Sequence, residues 1–135
     1  MKKLLVLIVL VLSSVSMFSQ ITSNGKPETL KSFRMGVCKL IKTGEEITIK
    51  AKTREAAGLD LIVRLGDTGQ AVAILQSMVD YSPSKGEVVS LNNPSDNTAE
   101  YEKFNGTWAI RSRGGVATVA VSKGELKKMI TALSE

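Results

Sequence analysis

Two tight turns, Asn105-Gly106 and Gly114-Gly115, divide the C-terminal third of this 135-residue chain into three segments, and their spacing fixes which residues share a face. Asn-Gly is favoured in a two-residue type I′ hairpin because both central residues take positive φ. With Phe104 opposite Thr107, Tyr101 falls opposite Ile110. With Arg113 opposite Val116, Ile110 falls opposite Val119 and Trp108 opposite Val121. Tyr101, Trp108, Ile110, Val119 and Val121 then form one apolar face of a three-stranded meander. Glu100, Glu102, Arg111, Arg113 and Thr118 form the polar face, with Glu100 opposite Arg111.

A helix follows to cover the apolar face. Ser122 and Glu125 have capping-box spacing, and Leu126, Met129, Ile130 and Leu133 recur on one helical stripe. An earlier part of the chain repeats this order. Ile47, Ile49 and Ala51 alternate with Thr48, Lys50 and Lys52, and Leu59, Leu61, Val63 and Leu65 alternate with Asp60, Ile62 and Arg64. Asp67 caps a helix over residues 70–81, whose Val72, Leu75, Met78 and Val79 stripe is widened by Ala71, Ala73 and Ile74, with a strand over residues 70–79 as the alternative reading. A helix apolar over so much of its circumference packs on two sides or joins a second copy of the chain.

Residues 33–42 fit either a strand or a helix by spacing, and Gly36, which costs a helix about 1 kcal/mol relative to Ala, favours the strand. Val88, Val89 and Leu91 make a short strand after the Ser82-Pro83-Ser84 turn, and residues 92–98 read as the main exposed loop. The expected fold is therefore α+β: an antiparallel sheet of about six or seven strands against two helices near residues 68–81 and 123–134, in two strands-then-helix halves. In topology alone this order resembles the repeated strands-plus-helix halves of small single-stranded nucleic-acid-binding folds. No motif residues accompany that likeness, and a fold does not define a function.

The N-terminus carries a different signal. Lys2 and Lys3 precede an apolar run over residues 4–12 and a small-residue exit through Ser13, Ser14, Ser16 and Ser19. That is the layout of a secretory signal peptide. The run is too short for a membrane anchor, because a bilayer core needs roughly 20 apolar residues in a helix. Cleavage after Ser19, in preference to Ser16, leaves a flexible arm over residues 20–30 and one domain over residues 31–135. It also removes two of the 18 basic residues, leaving 16 against 13 acidic ones, so the formal charge falls from +5 to +3. The expected location is periplasmic or extracellular.

Composition narrows the chemistry. With no His and one Cys, the chain cannot build a Ser-His-Asp or Cys-His site, a His-ligated zinc or an intramolecular disulfide. Cys38 would need Lys39, Arg34 or a helix end to activate its thiol. Glu45, Glu46, Asp60, Asp67 and Asp80 show no metal-binding spacing, and the Gly66 to Gly69 turn lacks a phosphate-loop pattern. No catalytic residue, cofactor or metal is expected.

The expected function is a noncatalytic binding domain whose partner is an envelope protein or glycan. Its candidate surface is the polar sheet face at Arg111 and Arg113 with Asn93, Asp96 and Asn97 of the adjoining loop. Residues 70–81 are the candidate self-association surface. Two other classes remain. Lys50, Lys52, Arg64, Arg111 and Arg113 could make a basic sheet face for a nucleic acid or polyanion, although the small net charge and core-facing Tyr101 and Trp108 disfavour it. A pair of carboxylates could hydrolyse an envelope glycan.

Overall fold

The computed structural model describes residues 25–54, 59–84, 86–102 and 106–135. The expected leader at residues 1–19, the first residues of the expected arm and the expected turn at Asn105 lie outside them. Among the described residues the chain forms two four-stranded antiparallel meanders, each followed by a helix. The first half holds β1 (Glu28–Phe33), β2 (Cys38–Thr43), β3 (Glu46–Lys52), β4 (Asp60–Gly66) and α1 (Thr68–Asp80). The second holds β5 (Val88–Ser90), β6 (Thr98–Glu102), β7 (Thr107–Arg111), β8 (Val121–Ser122) and α2 (Lys123–Leu133). Strand order follows chain order in both sheets.

The α+β class and the repeated order match expectation, but one six- or seven-stranded sheet is replaced by two separate ones. The ambiguous segment at residues 33–42 is strand from Cys38 onward and pairs with β3, so Gly36 belongs to the preceding turn. The ordered sheet begins at Glu28, so β1 takes in residues that composition had placed in the arm. Gly44, with φ of 61°, opens the two-residue loop between Thr43 and Glu46, as a type II′ turn requires.

Both sheets and both helices contribute to one core. Leu40, Ile47, Ile49, Val63 and Leu65 come from the first sheet, Ala71, Leu75 and Met78 from α1, Trp108, Ile110 and Val121 from the second sheet, and Leu126 and Met129 from α2. The two helices pack on each other, and α1 also lies against β4. Ala71, Leu75 and Met78 of α1 are buried in these contacts, while Ala73 stays exposed.

Three details of the C-terminal meander differ from the sequence reading. In the first hairpin Tyr101 pairs with Trp108 and Ala99 with Ile110. The connection spans four residues, from Glu102 to Thr107, where Asn105-Gly106 suggested two. A slip of two keeps every side chain on its face, because strand orientation repeats every second residue. In the second hairpin Trp108 does pair with Val121, but Arg111 bridges Ala117, so one extra residue enters the chain between them.

That extra residue turns Thr118 inward. Its hydroxyl accepts a hydrogen bond from the Ile110 N–H at 3.0 Å, and its own N–H donates to Ile110 O at 2.8 Å. The same segment also reaches the first sheet: Arg54 N–H donates to Ala117 O and Val119 N–H to Lys52 O, both at 2.9 Å. Residues 117–119 therefore join the two sheets instead of continuing a third strand of the meander.

Candidate functional site

The five residues expected to form a binding surface are gathered around the loop between β5 and β6, but two of them face inward. Asn93 and Asn97 are 5% and 2% exposed. Asn93 Nδ2 donates to Arg64 O at 2.7 Å and to Asn97 Oδ1 at 2.8 Å, while Asn97 Nδ2 donates to Arg111 O at 3.0 Å. Asn97 N–H closes the loop on Asn93 Oδ1 at 2.8 Å. Two amides thus tie β4 of one sheet to β7 of the other through backbone groups that would otherwise be buried without partners. The loop read as exposed is a structural joint, with Asn92, Pro94 and Asp96 at its surface.

Arg111, Arg113 and Asp96 do face outward, and each is paired. Arg111 Nη2 lies 2.6 Å from Glu100, and Arg113 lies 3.6 Å from Asp96. The rest of the basic face is engaged too: Lys52 and Lys50 lie 3.0 and 3.6 Å from Asp60, and Arg64 lies 2.7 Å from Glu46. The Lys52 hydrogen bond holds the Asp60 carboxyl below its ordinary range, and that from Arg64 does the same for Glu46. These carboxylates are charged and matched to cations. Asp67 caps α1 by accepting from Gln70 N–H at 2.9 Å, and the Gln70 amide accepts from Asp67 N–H at 3.0 Å.

Cys38 is fully buried beneath the first sheet. Burial, with a smaller contribution from Glu125, pushes its thiol from 9.0 up to about 12, opposed by Arg34. The thiolate needed for nucleophilic attack is therefore suppressed. A maleimide at about pH 8 is expected to leave Cys38 unlabelled in the folded protein and to label it in urea, as read by intact mass. Because the folded thiol holds its proton more tightly than the unfolded one, its contribution is present below pH 9 and is lost as pH rises toward about 12.

A different feature has the shape of a binding site. Between α1 and β5 lies a cleft of about 580 Å³. Leu65, Met78 and Trp108 form its base, with Ala73 and Ser77 on the helix wall and Val89 on the strand wall. The indole is held in place: its Nε1–H donates to Met78 O at 3.0 Å, satisfying a carbonyl at the helix end, and its ring lies 5.0 Å from that of Tyr101. Lys123 Nζ, 5.4 Å from the Tyr101 ring centre, donates to Tyr81 O at 3.1 Å and so anchors the end of α1 to the start of α2.

Among the described residues the cleft lining holds no Asp, Glu, Lys or Arg, and its polar side chains are the neutral ones of Gln70, Ser77, Ser90, Asn92 and Tyr81. The Tyr81 phenol donates to Glu87 at 3.2 Å, which raises its pKa. The sequence reading missed this site because each residue looked like core or turn in isolation. The available signal was Ala73 and Ser77, two small residues one turn apart on the helix. Among the described residues no three His, Cys, Asp or Glu side chains come together to hold a metal ion. Comparison with protein-family models, curated proteins and solved structures finds no match.

Proposed function

We propose that the chain is an exported, noncatalytic binding domain whose ligand site is the cleft between α1 and β5. The observation that carries this reading is a concave, uncharged and mainly apolar lining with a few neutral polar groups at one site. Its volume of about 580 Å³ lies within the few hundred to about 1,000 Å³ usual for small-ligand pockets. Such a lining favours an uncharged apolar group and strips water from it, while Gln70, Ser77 and Asn92 offer orienting hydrogen bonds. The apolar leader, with Lys2 and Lys3 ahead of it, supports export.

Nile red, an uncharged apolar dye, tests the cleft. Saturable binding with enhanced emission is expected for the native chain, and Ala73→Trp, which fills the helix wall, is expected to weaken it by about tenfold or more. Equal dye binding by the two proteins would overturn the assignment. Export is read separately, by intact mass of the protein recovered from its own cells: loss of residues 1–19 is expected, and retention of Met1 would contradict it.

A further inference from the structure

The strand wall of the cleft is also a sheet edge. Among the described residues β5 is the outermost strand of its sheet and pairs with β6 alone. In that pairing Glu87 O accepts from Tyr101 N–H at 3.1 Å and Leu91 N–H donates to Asn97 O at 3.0 Å. Val88 and Ser90, between and beside these bonded positions, alternate with them, so their N–H and C=O groups point away from β6. Of these two residues Ser90 lines the cleft, to which α1 contributes the short side chains of Ala73 and Ser77. The space between an unpaired strand edge and a helix with small side chains suits one more extended strand.

We propose that the cleft takes an extended peptide segment of another protein, added as a fifth strand beside β5, with an uncharged apolar side chain inserted toward Trp108. This rests on the cleft being a ligand site, and it names the ligand class. The donors and acceptors of Val88 and Ser90 recur every second residue, which is the repeat of an antiparallel or parallel partner strand. An extended backbone satisfies them with its own amides. Side chains on such a strand alternate in direction, so those on one side enter the cleft. Among the described residues the lining offers no ionised group to pair with a charge, so a charged residue at the inserted position would be stripped of water without compensation from it. The occupant is therefore a backbone-paired, locally uncharged segment.

The test uses the full chain and a panel of acetylated, amidated peptides in which Thr alternates with Ala, Val, Leu, Met or Phe. Binding is read from the emission of Trp108, the single indole of the chain. At least one peptide with a side chain larger than Ala is expected to give a saturable change. In that peptide, N-methylation of the backbone on the edge-facing residues is expected to weaken binding by about tenfold, and the same change on the intervening residues by much less. Equal binding by all N-methylated forms overturns strand addition and leaves the cleft as a ligand site. Failure of every peptide while Nile red still binds overturns it in the same way. If neither peptides nor dye bind, both readings fall. A dimer that Ser90→Pro converts to monomer, in a chain that takes up no peptide, would mean that a second copy covers this edge, and would also overturn the proposal.

Discussion

Trp108→Ala is expected to destabilise the protein by about 3–5 kcal/mol, the range for removing a large aromatic from a well-packed core. The indole is fully buried, touches both the cleft and the ring of Tyr101, and closes a hydrogen bond to the end of α1. Trp108→Phe separates these contributions. It keeps most of the apolar contact but leaves Met78 O without its donor, and a loss of about 1–3 kcal/mol is expected for that buried carbonyl. Urea unfolding followed by far-UV circular dichroism measures both, because neither variant retains an indole to report on. A loss below about 1 kcal/mol for the alanine variant would contradict the packing described.

The second large effect is expected at the joint between the sheets. Asn97→Ala removes the donor to Arg111 O and the acceptor of Asn93 Nδ2 in one change. Arg111 O loses its amide donor while Asn93 Nδ2 keeps Arg64 O as a partner, so a loss of about 1–3 kcal/mol is expected. Asp96→Asn, one residue away, is expected to leave the unfolding midpoint almost unchanged, because Asn also tolerates the φ of 51° there and the ion pair lost, to Arg113, is exposed. Equal midpoints for the two variants would show that the amide network does not hold the loop.

The contrast between Asn97 and Asp96 also shows where the sequence is legible. Alternation and capping residues act locally, so β3, β4, both helices and their Asp67 and Ser122 caps could be read from the chain. The apolar face of the second meander survived a wrong register because the error was two residues, which preserves side-chain direction. Thr118 and Val119 did not survive theirs. Their placement depends on Lys52 and Arg54 of the other sheet, a contact that no local pattern encodes. The Asn92 to Asn97 segment was misread for the same reason. Asn, Ser and Asp promote turns in water, and whether their amides face solvent or distant carbonyls is decided by tertiary packing. The cleft is a meeting of α1 with β5 and of both with Trp108, so it exists only after the two halves close.

Residues 117–119 carry a consequence for how the molecule comes apart. Hydrogen bonds from this short stretch reach Ile110 on one side and Lys52 and Arg54 on the other. The repeated architecture suggests two modules, yet neither module completes its own perimeter without the other. Melting is therefore expected as a single cooperative event, with a lone half left to expose strand backbone that favours pairing with other chains.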